Sequence, residues 1–263
     1  MKDLSEILGD IKKRVNDACA RAGRDPSEVE IIAVTKTHGP ETVKEAWENN
    51  LTIVGENKVQ EASWKRPLSP MGPQWHMIGH LQSNKVRHAL ELFDFIHSVD
   101  SAKLADRINL ISEESGARPH ILLEINVSGE KSKSGMRPED VKGVIEHILQ
   151  ECPRITVEGL MTMAPFSENP EDARPYFRNL RLLRDKLQDE LSISLPRLSM
   201  GMSGDFEVAV EEGATWLRLG SILFGERPKA RSVRRIDSDF GADCSTSGLD
   251  SYSGEGPTFK VLE

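Results

Sequence analysis

The sequence predicts an α/β protein, a single (β/α)8 TIM-like barrel with an extra N-terminal helix and a disordered C-terminal tail. Three observations carry that expectation. About eight short apolar runs alternate with helical stretches between residues 31 and 219, the alternation that builds a parallel sheet. The length of 263 residues suits one such barrel. Past residue 229 the alternation stops and the composition changes. An open doubly wound sheet is the competing arrangement, because it grows from the same alternation.

The elements follow in order. Apolar positions at Leu4, Ile7, Leu8, Ile11, Val15, Ala18 and Ala22 form a helical stripe, with Asp3 placed to cap it and Gly23 to end it. Ile31-Ile32-Ala33-Val34 is apolar throughout and mostly β-branched, which predicts a short buried strand. Further strands are expected at 52–55, 74–78, 93–99, 120–127, 155–160, 195–200 and 216–219. Helices are expected between them at 41–50, 58–65, 84–92, 102–115, 138–150, 170–191 and 205–212. Pro138 stands where proline favours a helix start. Residues 1–229 are thus read as the barrel domain. Residues 230–263, with Arg231, Arg234 and Arg235 leading into a Ser-, Gly- and Asp-rich stretch without periodicity, are read as a disordered tail.

Composition removes several function classes. Lysine and arginine total 34 against 42 acidic residues, and the net charge of −8 argues against nucleic acid as a partner. No apolar run approaches the roughly 20 residues that span a bilayer, so no membrane partner is expected. The opening Met1-Lys2-Asp3-Leu4-Ser5-Glu6 is unlike a secretory signal. Cys19, Cys152 and Cys244 are widely spaced and lack a metal-ligand pattern, which points to a reducing, cytoplasmic setting and no metal site.

Chemistry is expected where the strands end, since barrels build their active face at the C-terminal strand ends. Lys36 closes the first strand, just before His38-Gly39-Pro40. Burial disfavours a charged lysine and so favours the neutral amine that adds to an aldehyde or ketone. The plainer alternative is a lysine whose stem covers the strand end while its head stays in water. The other strand ends carry Glu56-Asn57, Gly79-His80, Ser98, Asn126-Val127-Ser128, Met161-Thr162, Ser199 to Ser203, and Arg218 to Ser221. Taken singly, Asn57 reads equally as a helix cap, His80 as a helix-start residue and Ser199 as a turn residue.

Two of these stretches suit a phosphate. Ser199-Met200-Gly201-Met202-Ser203-Gly204-Asp205 frees its backbone at two glycines, with Ser203 expected as cap of the next helix. Arg218-Leu219-Gly220-Ser221 ends the last strand, and barrels often hold phosphate in their last two loops. Barrel closure makes those loops neighbours of Lys36. A phosphorylated carbonyl compound fits between them, either a sugar phosphate in a Schiff-base aldolase or pyridoxal 5′-phosphate.

The motifs are also specific as text. Ala33-Val34-Thr35-Lys36-Thr37-His38, Gly55-Glu56-Asn57-Lys58-Val59-Gln60-Glu61 and Trp75 to Lys85 resemble the pyridoxal phosphate homeostasis protein family. So do Asn126-Val127-Ser128 with Lys133-Ser134-Gly135, Gly159 to Met163, Leu198 to Asp205, and Arg218 to Gly225. The resemblance runs in order from about residue 3 to Pro228, and the tail departs from it. It implies the barrel of fold-type III pyridoxal phosphate proteins, like the N-terminal domain of alanine racemase. It implies Lys36 as the Schiff-base lysine, Ser203, Gly204, Gly220 and Ser221 around the phosphate, and Arg218 facing the pyridine nitrogen. Asn57, His80 and Met161 would line the ring, while Asn84, Lys85 and Lys133 also fall in the motifs and are assigned no contact.

The family implies a protein that binds, buffers or delivers the cofactor, with apo-enzymes as candidate acceptors, no catalytic residue and no established turnover; a monomer is expected rather than a dimer. Alanine racemase adds a β-domain with a catalytic tyrosine, whereas Tyr176, in an expected helix, and Tyr252, in the tail, are the only tyrosines here. The alternative is an amino-acid racemase or lyase using the same Lys36, with His80 as the second acid/base.

Overall fold

The structure is a computed structural model and describes residues 3–130 and 134–225. The expected tail at 230–263 and Lys133 lie outside the described residues. Eight parallel strands close into a barrel in chain order. They are β1 (Glu30–Val34), β2 (Ile53–Glu56), β3 (Gln74–Met77), β4 (Phe95–Val99), β5 (His120–Glu124), β6 (Thr156–Met161), β7 (Arg197–Ser199) and β8 (Trp216–Leu219). Closure is made by β8 pairing with β1, Ile32 opposite Arg218 and Ala33 opposite Leu219. The closed barrel excludes the open doubly wound sheet.

Helix α1 (Leu4–Ala22) matches its apolar stripe, with Asp3 accepting from the Glu6 amide and Gly23 in the left-handed region. It lies against α8 (Phe206–Glu211), held by Arg14 to Glu207 at 2.7 Å and Arg21 to Glu211 at 2.6 Å. Between them come α2 (Pro40–Glu48), α3 (Val59–Lys65), α4 (Val86–Leu92), α5 (Ala102–Ser115), α6 (Val141–Glu151) and α7 (Arg174–Leu191). A short α9 (Ser221–Phe224), not expected from the sequence, follows β8. The expected strand 120–127 stops at Glu124, because the chain turns back there. Ile125 still donates to the Met161 carbonyl, but Asn126 donates to the Met136 carbonyl and Met136 to that of Glu124, so from Asn126 the chain pairs with its own loop.

Alternation along the strands sorts the core. Ala33, Val54, Leu123 and Leu160 join the buried faces of the helices, with Leu8, Ile11, Val43, Ala62 and Ile108. Their sequence neighbours Ile32, Ile53, Leu122 and Met161 pack with Trp216 as a separate cluster inside the barrel. Two cysteines are sealed into the outer layer, Cys19 on α1 and Cys152 just after α6. The Cys152 sulfur is 3.7 Å from Asp106 Oδ1, which His147 Nε2 meets at 2.6 Å. Burial and the Asp106 charge push the Cys152 thiol up to about 11, and burial raises Cys19 as well.

A polar chain crosses the interior. Arg218 Nη1 donates to Ser199 Oγ at 2.8 Å, Ser199 Oγ meets His97 Nδ1 at 3.0 Å, and His97 Nε2 meets His76 Nδ1 at 3.0 Å. Arginine can only donate, so Ser199 Oγ accepts from Arg218. The directions of the Ser199–His97 and His97–His76 links are set by the ring tautomers, and His76 Nε2 has no partner among the described residues. Both rings are neutral. Burial, aided by the Arg197 charge, holds His76 down to about 3, and burial, with the Arg218 charge and competition from His76 for a proton, holds His97 well below its usual value.

That neutrality sets an acid sensitivity. Below the ordinary histidine pKa the unfolded chain takes up a proton at position 76 that the folded protein refuses. Stability present above pH 6.5 is therefore lost as pH falls toward about 3. Each such group contributes about 1.4 kcal/mol per pH unit across that window. His76→Gln keeps an acceptor for His97 and cannot titrate. Denaturant unfolding at pH 6.5, 5.5 and 4.5 should show a shallower loss of stability for His76→Gln, by about one proton. Equal slopes would mean that His76 is charged in the fold.

Candidate functional site

The strand ends open on a cavity of about 640 Å³. Lys36, Asn57, His80, Ser203, Gly204, Arg218, Gly220 and Ser221 all line it. Of the site residues expected from the sequence, only Met161 is elsewhere, fully buried in the barrel interior against Ile32, Ile53, Leu122 and Trp216. Met163, two residues on, is on the wall instead. Lys85 lines a neighbouring groove with Asn57 and His80. Asn126 organises its own loop, accepting from Ser128 Oγ and the Gly129 amide.

Each element presents its residue for a local reason. Lys36 is half-buried one residue past Thr35, in a turn closed by the His38 amide on the Thr35 carbonyl at 3.1 Å. Thr37, the third residue of that turn, has φ +69°. A non-glycine residue there costs on the order of 1–3 kcal/mol, so its surroundings must hold it. Gly79 lets two strand ends meet, because a Cβ on it would lie 2.3 Å from the Asn57 carbonyl oxygen. Asn57 and His80 thereby share a wall. His80 Nδ1 is 3.7 Å from Asp100 Oδ2, and Ser98 Oγ holds the Gly79 carbonyl at 2.6 Å.

On the opposite side the two final loops are joined. Ser203 does not cap α8 as the sequence suggests. Asp205 occupies the cap position, with its carboxylate on the Met202 amide at 2.6 Å. Ser203 Oγ instead accepts from the Ile222 amide of α9 at 3.3 Å. That bond ties the loop after β7 to the loop after β8. A Cβ on Gly204 would meet nothing within 4 Å, and one on Gly220 would press on Val34 at 3.3 Å. Gly220 therefore lets the last loop lie against β1.

Arg218 is the fixed cation of the site. Nη2 donates to the Thr162 carbonyl at 2.8 Å and Nη1 to Ser199, so the guanidinium plane is set by two neighbouring strand ends. Burial draws it down to about 10, against the pull of Asp205 and Glu124, which leaves it charged at neutral pH. Glu124 and Asp205 are cavity residues that the strand-end reading passed over. Burial, with the nearby Asp100 charge, pushes the Glu124 carboxyl up to about 7 despite Arg218. Burial also raises Asp205. Glu124 ends a strand just before Asn126, so its position was readable; only its inward direction was not.

An amine, a guanidinium locked in plane, two hydroxyls and two loops brought close by glycine fit a phosphorylated carbonyl compound.

Known proteins resemble this chain in sequence and fold. The family described as alanine racemase, N-terminal domain, matches residues 8–228. A protein of Aquifex aeolicus named pyridoxal phosphate homeostasis protein is 47% identical over 84% of this chain and 97% of its own length. The structure of PipY of Synechococcus elongatus with pyridoxal phosphate bound is similar at TM-score 0.74 and 36% identity, over 85% of this chain and all of that one. Alanine racemase of Clostridium difficile shares the fold at TM-score 0.68 and 16% identity, over 88% of this chain and 58% of the enzyme. The chain belongs to the alanine racemase N-terminal domain family, and within it to the pyridoxal phosphate homeostasis proteins.

Proposed function

We propose that this protein binds pyridoxal 5′-phosphate in the strand-end cavity and serves as a reversible store from which apo-enzymes are supplied. One observation carries the reading: barrel closure brings Lys36 and Arg218 to a single cavity with Ser203 and Ser221. The relatives' shared name and the ligand in PipY support it. When bound, the cofactor supplies an aldehyde that condenses with a lysine amine, with loss of water.

Each residue then has a part that its chemistry allows. Lys36 provides the amine. Ser203 and Ser221 offer hydroxyl donors to the phosphate, and Gly204 and Gly220 let the backbone approach it. Arg218 would face the ring nitrogen as a donor that cannot take a proton, which would leave that nitrogen unprotonated. Asn57 and His80 would flank the ring. A monomer in the cytoplasm is the setting we propose; among the described residues, no helix is long and apolar enough to cross a membrane.

The place of Tyr176 supports storage rather than turnover. Tyr176 lies in α7, packed on the outer core, away from the cavity. A second reading, an amino-acid racemase or lyase using Lys36, gains support from Glu124. A buried carboxyl titrating near neutrality is suited to proton transfer. His80, on the same wall, is the other candidate.

Three outcomes check these readings. Lys36→Ala should lose the visible absorption band of the lysine-linked cofactor while retaining part of the bound phosphorus; an unchanged band removes Lys36 from the site. Ser203→Asp or Ser221→Asp places a negative charge against the phosphate. Affinity for pyridoxal 5′-phosphate should fall at least tenfold, about 1.4 kcal/mol, and affinity for pyridoxal much less. Equal losses would move the phosphate elsewhere. Loaded protein mixed with L-alanine in deuterated water should exchange no α-proton above a Lys36→Ala control, yet should reactivate a trace of apo-enzyme. Rapid exchange reduced by Glu124→Gln or by replacing His80 would establish the enzyme reading.

A further inference from the structure

Lys65, the last residue of α3, has a side chain with no exposure to solvent. An ammonium so placed is stable only when each of its three N–H groups has an acceptor. All three do. Nζ donates to the Thr35 carbonyl at 2.9 Å, to Glu56 Oε1 at 2.6 Å and to Glu61 Oε1 at 2.9 Å. Glu56 Oε1 also accepts from Thr35 Oγ1 at 2.6 Å, and Glu61 Oε1 accepts from the Thr37 amide.

These contacts bracket one residue. The Thr35 carbonyl belongs to the peptide plane before Lys36 and the Thr37 amide to the plane after it. The two planes meet only at the Lys36 Cα, and their relative orientation is the φ and ψ of Lys36. Holding both planes therefore fixes the direction in which the Lys36 side chain leaves the strand end. The same grip holds Thr37 at its positive φ. An apolar side chain of equal length could fill the space but could not hold either peptide group. A buried ion pair is in itself weak support for stability, so filling space does not explain this one.

We propose that Lys65, with Glu56 and Glu61, is the positioning residue for Lys36, aiming its amine at the carbonyl carbon of the bound cofactor. The inference rests on the function proposed above and deepens it. Part of the affinity for an aldehyde comes from an amine already in place, and that part is lost when the amine wanders.

The test compares two ligands with the same ring and phosphate. Pyridoxal 5′-phosphate has the aldehyde; pyridoxine 5′-phosphate has an alcohol there and cannot condense. Lys65→Met should weaken pyridoxal 5′-phosphate at least tenfold and leave pyridoxine 5′-phosphate within about twofold. Glu61→Ala releases the Thr37 amide at a side chain that is 15% exposed, and should weaken only the aldehyde, by a few-fold. Glu61→Gln keeps an acceptor for that amide and should restore wild-type preference. If Lys65→Met does not fold, Glu61→Ala and Glu61→Gln decide. Equal weakening of both ligands, or no change in either, overturns the positioning role. Lys36→Ala in the same assay separates two failures. A wild-type protein without preference for the aldehyde overturns the proposed function and this inference together. A preference abolished by Lys36→Ala but kept in the Lys65 and Glu61 variants overturns the inference alone.

Discussion

The pairing of β8 with β1 is the contact on which the rest depends. Before closure, Lys36 and Arg218 are separated by nearly the whole barrel in sequence. With Ile32 opposite Arg218 and Ala33 opposite Leu219, they belong to adjacent strands, and Gly220 permits the final loop to lie on Val34. A slip of one residue would turn Arg218 from the interior to the helix layer, because alternate residues face opposite ways. Its hydrogen bonds to Ser199 and Thr162 would then be impossible. α1 and α8, locked by Arg14 and Arg21, lie against each other beside the closing strand, so the N-terminal helix belongs to the closure.

Much of this was legible in the sequence, for physical reasons. Strand–helix alternation shows because each strand is buried on both faces and each helix on one, and β8 and α5 fall within the expected bounds. Lys36, Arg218 and the serine loops were legible because a polar side chain ending a buried apolar run is costly unless a ligand or a partner meets it there. What escaped was directional. Ser203 looks like a cap by spacing, but Asp205 takes that position and Ser203 turns to Ile222. Met161 sits at a strand end, yet strand parity points it into the interior rather than onto the wall. Lys65 was hidden for another reason. In sequence it is one more basic residue ending an amphipathic helix, and its three acceptors come from the turn after β1, from β2 and from α3 only once these pack.

The barrel interior has its own electrostatic logic. Aliphatic residues and Trp216 fill part of it, and a hydrogen-bonded string of side chains fills the rest. Arg218 gives a proton to Ser199, and burial keeps both imidazoles neutral. The Arg218 cation is thus supported from beneath by neutral groups, which hold its plane without cancelling its charge. Burial raises the pKa of both of its carboxyl neighbours, Glu124 and Asp205.

The two sealed cysteines turn the protein into its own timepiece. Thiol reagents attack the thiolate, and neither Cys19 nor Cys152 offers one while it is buried with a raised pKa. Alkylation must therefore wait for an opening event, with Cys244 replaced so that it adds no signal. Cys19 reports the departure of α1, and Cys152 the loosening of the end of α6 on another part of the wall. If the two react at one rate, the barrel opens as a unit; if Cys19 reacts sooner, the N-terminal helix is a separate and weaker cooperative element.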